Sequence, residues 1–249
     1  MRQLFPVWGD EVDPAPLYGD QSRPVTPGRP YVVVNMVASL DGATAVEGVT
    51  AKLGGPGDQR IFFLLRSLAD VILVGAQTVR AEGYGPPRLD DRVIEARRAR
   101  GQAALPTIAV VSRSLNFDWS SSLFNDSATH PLILTTRAAE VDQLKRAHDH
   151  AVVVQAGDTT VDLAEGLAAL GGRGALVLCE GGPTLNGELA RAGLVDELCL
   201  TVSPSLVGRV GAGIFGLSQL DHIVAASLMH VLEEEGFLFL RYRCDVAGS

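Results

Sequence analysis

The densest chemistry in the chain lies in residues 175–186, ALVLCEGGPTLN, where an aliphatic run ends in Glu180, two glycines and a proline before a helical pattern that closes at Gly193. A carboxylate at a strand's end can hold hydrogen-bond donors of a ligand, and glycines let that ligand approach the backbone. Pro183 suits a first helical turn, whose unused N–H groups attract anions. Three further turns have the same character: Val74-Gly75-Ala76-Gln77-Thr78, Val111-Ser112-Arg113-Ser114 and Ala38-Ser39-Leu40-Asp41-Gly42. A plain βα turn or a solvated loop accounts for any one of them. Four in one chain point to a ligand crevice, with Ser112 and Arg113 suited to clamp a phosphate. Asp58 follows Gly-Pro-Gly at the start of an amphipathic stretch, where it is either a helix cap or a ligand-binding carboxylate. Asp41 either shapes its turn or moves a proton, the first being the simpler role for an Asx residue.

These residues need strands and helices to position them. Short β-branched runs at 31–37, 71–75, 107–111, 132–135, 152–155, 175–179 and 198–202 read as strands, most without alternation and so buried on both faces. Between them lie helical patterns. Residues 58–68 place Ile61, Leu64, Leu65 and Leu68 on one face, residues 160–170 place Val161, Ala164, Leu167 and Ala168, and Val141, Leu144 and His148 mark another. Residues 223–231 and 236–242, flanking Glu233-Glu234-Glu235, read as an antiparallel hairpin on the sheet edge, into which His222 and His230 fall as structural residues. The expectation is α/β with a mixed, mostly parallel sheet. Six prolines among the first thirty residues predict an extended arm over 1–30, ahead of a single domain over 31–249.

Composition closes off other classes. The 249 residues are 47% hydrophobic and 20% charged with a mean hydropathy of +0.19, as in a soluble globular protein. A net charge of −8 disfavours nucleic acid and anionic membrane surfaces, so an anionic ligand needs a local site. Cys179, Cys199 and Cys244 form no C-x-x-C pair, which argues against a disulfide framework or a metal site and for a reduced cytoplasm. No apolar run is long enough for a membrane span, and the N-terminus has no signal-peptide pattern. Gly54-Gly55-Pro56-Gly57 is broken by proline, and no G-x-G-x-x-G joins a strand to a helix.

The segments NMVASLDG (35–42), LRSLADVILVGAQTV (65–79), EGGPTL (180–185) and LVDEL (194–198) together resemble the reductase domain of riboflavin biosynthesis, the C-terminal half of the bifunctional RibD proteins. The deaminase signature H-x-E with P-C-x-x-C is absent, so the chain resembles a stand-alone reductase. The resemblance implies a dihydrofolate reductase-like three-layer α/β fold, a homodimer, and NADPH as cofactor. Position by position, it implies cofactor contacts at Val37, Ala38, Lys52, Gly75, Thr78, Glu82, Ser112, Arg113 and the turn from Gly181 and Gly182 through Pro183, Thr184 and Leu185 to Glu188. Substrate contacts fall at Thr50, Arg66 and Glu180, with Asp58 and Glu180 as the catalytic carboxylates. The match to the glycine pair of dihydrofolate reductases implies a cis Gly181–Gly182 peptide. Lys52 and the stretch EGYGPP (82–87) depart from the family's pattern. Asp58 stands where dihydrofolate reductases carry their pterin-binding carboxylate. Three readings follow: an NADPH-dependent reductase of the riboflavin-pathway aminopyrimidine, a dihydrofolate or pterin reductase on the same fold, and a catalytically silent nucleotide-binding paralogue.

Overall fold

The computed structural model describes residues 1–19, 23–24, 27–126, 130–208, 213–217, 220 and 222–245. In chain order the strands are β1 (Arg2–Phe5), β2 (Tyr31–Ser39), β3 (Val71–Gly75), β4 (Thr107–Val111), β5 (Leu132–Thr135), β6 (Val152–Gln155), β7 (Leu176–Cys179), β8 (Glu197–Ser203), β9 (Ala226–Glu234) and β10 (Phe237–Cys244). The helices are α1 (Pro14–Tyr18), α2 (Pro56–Leu68), α3 (Ala76–Glu82), α4 (Asp91–Ala99), α5 (Ser122–Asn125), α6 (Val141–His150), α7 (Leu163–Leu170) and α8 (Pro183–Arg191). The chain divides into two compact units, one of Met1–Pro24, Val32–Arg66 and Cys179–Ser249, the other of Val25–Tyr31 and Ser67–Leu178.

In the second unit β3, β4, β5 and β6 pair in parallel, each with the next. The runs of β3, β4 and β5 are buried on both faces, with Ile72, Val74, Val110 and Ile133 fully enclosed, as the missing alternation predicts, whereas β6 leaves Val152 and Gln155 exposed. Asp70 ties this unit to the start of β7: its Oδ2 accepts from the N–H groups of Ala175 (2.8 Å) and Leu176 (3.0 Å). Gly174 is what allows that approach, since a Cβ there would stand 2.2 Å from the Asp70 side chain. Arg97 is fully buried and donates to the carbonyls of Ala103, Ser67 and Ala69. The helical faces differ from their expected registers. In α6 Ala147 is buried while Val141 and His148 are exposed, and in α7 the buried set is Leu163, Gly166, Leu167 and Leu170.

In the first unit β2 runs parallel to β8, and β8, β10, β9 and β1 follow as an antiparallel series. Two expectations change here. The N-terminal residues are not an extended arm: β1 pairs with β9, and α1 forms because Asp13 caps it through Ala15 N–H while Pro14 occupies the first turn, where proline is tolerated. The hairpin does not form the edge either, because β10 lies between β8 and β9, and β1 covers β9. The turn itself is Glu235-Gly236, both with positive φ, so Glu233 and Glu234 belong to β9. His222 lies before β9 rather than within the hairpin.

Strand β8 carries an inverted pattern. Its enclosed face is polar, formed by Glu197, Cys199, Thr201 and Ser203, while Leu198, Leu200 and Val202 are only half-buried. Buried charges require partners, and Glu197 has them in a two-bond fork from Arg241 (2.8 and 2.8 Å) and a bond from Arg23 (3.2 Å). Arg241 also donates to the Leu17 carbonyl, which clasps α1 to this face. Tyr18 of α1 meets the ring of His230 edge-on, with centroids 4.6 Å apart. His230 Nε2 has no hydrogen-bond partner, and burial, with Arg241 nearby, pushes its pKa down to about 4. The folded pKa lies below the unfolded value near 6.5, so this contribution to stability is complete above about pH 6.5 and is lost as pH falls toward 4. Thermal unfolding between pH 7 and 4 is expected to show a loss on the order of 2 to 3 kcal/mol that His230→Phe removes. An unchanged pH dependence in that variant contradicts the assignment.

Candidate active site

Helix α2 begins two residues before Asp58, which makes Asp58 the third helical residue and not the cap. The glycines around it explain that start. A Cβ on Gly55 would meet the Phe237 ring at 2.9 Å and one on Gly57 would meet Phe239 at 2.8 Å, so Gly54-Gly55-Pro56-Gly57 lets the helix start close against β10. Asp58 is thereby brought to β8, where its carboxylate takes a hydrogen bond from the buried Thr201 hydroxyl. Burial raises its pKa and that bond opposes the rise. Thr201 stands opposite Val37 in the β2–β8 pairing, and Val202 opposite Ala38, so Asp58 adjoins the strand end to which the sequence assigns Val37 and Ala38.

Two turns further along the same helix, about 12 Å by helical rise, Arg66 meets Glu180. The guanidinium gives a fork of two bonds, Nε to Oε1 at 2.7 Å and Nη2 to Oε2 at 2.8 Å, and lies 4.2 Å above the Phe62 ring. The Glu180 side chain is 2% exposed and that of Arg66 16%. The sequence assigns these two residues separately to substrate; the structure pairs them with each other.

Beyond Glu180 the Gly181–Gly182 peptide is cis, as expected from the glycine pair. Gly181 has φ +85°, and a Cβ on it would press on Met36 Sδ at 3.2 Å. Gly182 precedes α8 and no side chain caps that helix, so its first N–H groups suit an anion. Leu185 and Asn186 are buried and Thr184 is exposed. Cys179 accepts from Gly181 N–H and donates to Asn186 Oδ1 at 3.3 Å; burial pushes its pKa up to about 12, which keeps it a thiol and a core residue. Asn186 Nδ2 donates to the Ile214 carbonyl at 2.9 Å. Of the remaining residues assigned to this unit, Thr50 and Lys52 lie in a 3₁₀ turn, where Lys52 pairs with Glu47.

Gly75, Thr78, Glu82, Ser112 and Arg113 fall in the second unit. Gly75 precedes α3, which carries Thr78 and Glu82. Ser112 is buried and its hydroxyl accepts from Leu115 N–H at 3.1 Å, while Arg113 is exposed. Asp41 lies in the turn after β2, but its carboxylate reaches outside that turn: the Ser39 hydroxyl with the N–H groups of Gly208 and Val207 lowers its pKa to about 2. Sequence reasoning missed Thr201 and the Arg66–Glu180 pairing. Among the described residues no His, Cys, Asp or Glu cluster could hold a metal, and no helix is long and apolar enough to cross a membrane.

These strand ends carry a buried Arg66–Glu180 ion pair, a glycine turn and an uncapped helix start, the kind of place where open α/β sheets take ligands. The family model of the RibD C-terminal domain matches residues 30–234. A 2,5-diamino-6-ribosylamino-4(3H)-pyrimidinone 5′-phosphate reductase of Methanothermobacter thermautotrophicus is 34% identical over 181 residues, 72% of this chain and 80% of the relative. One of the same description from Archaeoglobus fulgidus is 32% identical over 72% of this chain and 83% of its own. A pyrimidine reductase-like protein of Corynebacterium diphtheriae superposes with a TM-score of 0.79 at 29% identity, over 87% of this chain and 92% of that one. The chain belongs to the RibD C-terminal domain family and is an enzyme of its reductase class.

Proposed function

We propose that the protein is an NADPH-dependent reductase of a riboflavin-pathway aminopyrimidine ribosyl 5′-phosphate. The observation that carries this reading is the enclosed Arg66–Glu180 pair beside the uncapped start of α8. The residues present fit the cofactor. The α8 N–H groups receive its pyrophosphate, Gly181 and Gly182 leave room for close approach, and the end of β2 at Val37 and Ala38 offers backbone to the nicotinamide amide. When bound, NADPH supplies the hydride. Arg66 holds the substrate phosphate, and Glu180 orients Arg66 and accepts from the ribose hydroxyls. In the second unit Arg113 is assigned to the 2′-phosphate. Because it is exposed, Arg113→Ala is expected to cost NADPH affinity only about 1 kcal/mol and to leave NADH unchanged; titration with both cofactors checks this, and equal affinity for both in the unmodified protein refutes it. A homodimer and a cytoplasmic location accompany the reading, the homodimer being checked by light scattering.

A second reading, pterin reduction, is favoured by one observation: Asp58 is not the cap of α2 and is held by Thr201. A carboxylate there suits a 2-amino, ring N–H edge, which dihydrofolate and a 2,5-diaminopyrimidinone share and a uracil lacks. NADPH oxidation measured with the diaminopyrimidinone, the aminouracil and dihydrofolate separates the readings. No oxidation with any of the three overturns both and leaves the silent paralogue.

A further inference from the structure

We propose that Asp41 is a positioning residue, a carboxylate latch that sets the end of β2 against the loop following β8 and so fixes the strand end assigned above to the nicotinamide. The inference rests on that cofactor reading. Asp41 Oδ1 accepts from Ser39 Oγ at 2.5 Å and from Val207 N–H at 3.2 Å, and Oδ2 accepts from Gly208 N–H at 2.7 Å. The neighbouring Leu40 N–H donates to the Ser205 carbonyl at 2.9 Å, and Ser39 Oγ also accepts from Ala43 N–H at 2.9 Å.

A turn needs no such arrangement. The turn after β2 is already closed by Gly42 N–H to Ser39 O at 3.0 Å and Ser39 N–H to Ala43 O at 2.9 Å, which leaves Asp41 free to bind outside its own turn. What it binds is the loop that continues from β8, and that loop is tied again further along. Asn186 donates to the Ile214 carbonyl, and Gly216 comes so near the Pro183 carbonyl that a Cβ would stand 3.1 Å from it. After β8 the chain is thus fastened at Val207 and Gly208 to the turn that follows the strand carrying Val37 and Ala38, and at Ile214 it is bonded to α8. Those are the two backbone stretches to which opposite ends of the cofactor are assigned in this unit, and Asp41 fixes the first anchorage. A misplaced nicotinamide retards hydride transfer while phosphate contacts still hold the cofactor. Asp41 thus governs the rate of transfer more than affinity.

The test is Asp41→Asn, which keeps size but turns one acceptor into a donor facing an N–H. In single-turnover measurements hydride transfer is expected to slow at least about tenfold, with a larger primary isotope effect from 4-deuterated NADPH. The NADPH dissociation constant, read by fluorescence, should stay within about threefold, and amide exchange at Val207 and Gly208 should quicken at least about tenfold while β2 amides keep their protection. Ser39→Ala, which removes the hydroxyl that donates to Asp41 and accepts from Ala43 N–H but leaves the bonds of Asp41 to Val207 and Gly208, should give a smaller effect in the same direction and serves if Asp41→Asn does not fold. Faster exchange at Val207 and Gly208 with an unchanged transfer rate and isotope effect would show a purely structural latch and overturn the proposal. So would a loss confined to cofactor affinity. Wild-type protein that fails to bind NADPH overturns the cofactor reading and this inference together, whereas wild-type turnover matched by Asp41→Asn overturns this inference alone.

Discussion

Arg66→Met is expected to lower kcat/KM for an aminopyrimidine ribosyl phosphate about a hundredfold and to cost the fold about 3 kcal/mol. Both effects follow from the fork with Glu180, whose side chain is 2% exposed. Removing the guanidinium takes both bonds of the fork from a carboxylate enclosed away from water, and losing one member of a buried pair costs more than the pair itself contributes. For a chain of this size that loss is roughly 6 to 12 °C in Tm. The kinetic loss has a separate origin, the missing charge-assisted contact to phosphate. Combining Arg66→Met with Glu180→Gln separates the two. With the buried carboxylate neutralised as well, the double variant should regain much of the Tm by calorimetry, yet recover none of the activity. A double variant that regains activity with stability contradicts the assignment of Arg66 to substrate.

Asp58→Asn is expected to act in the opposite sense on stability. Asp58 is not the cap of α2, so no cap is lost, and burial already disfavours its charge. A neutral amide therefore leaves Tm unchanged or raises it. Activity should fall about thirtyfold for substrates with a 2-amino, ring N–H edge, because one oxygen that accepts from that edge becomes a donor. A 2-oxo substrate should lose little, and NADPH affinity should not move. Equal activity of the variant on the diaminopyrimidinone and on dihydrofolate, each at the wild-type rate, refutes a substrate role for Asp58.

The strands were legible because continuous aliphatic runs have few alternatives: β3, β4, β5 and β6 match the sequence reading residue for residue. Glu180, Gly181, Gly182 and α8 were legible for a related reason, since proline and glycine punctuate a helix at both ends. Other features depend on what lies across from a residue. Glu197, Cys199, Thr201 and Ser203 alternate visibly, yet it is partners from other segments, Arg241, Arg23 and Asp58, that make that polar face the buried one. Asp58 looked like a cap because the sequence does not show that Gly55 and Gly57 pack beneath phenylalanine rings and move the helix start. The first residues were misread because proline content reports where hydrogen bonds are impossible, and β1 has no proline inside it.

The pairing of β1 with β9 also sets an order of events during synthesis. Arg2 lies opposite Glu233, so at roughly 5 to 20 residues per second the first strand waits on the order of 10 to 50 s for its partner to be made. Through that interval Leu4, Phe5, Val7 and Trp8, large apolar residues that stay exposed even in the finished fold, have neither β9 nor β10 beside them. Closing so long a span carries a high entropic cost before any contact rewards it. The clasp of α1 by Arg241 depends on a residue made later still. Residues 2–18 are therefore made long before the strands that hold them, and this segment is the part most exposed to chaperones, proteases and neighbouring chains while it waits.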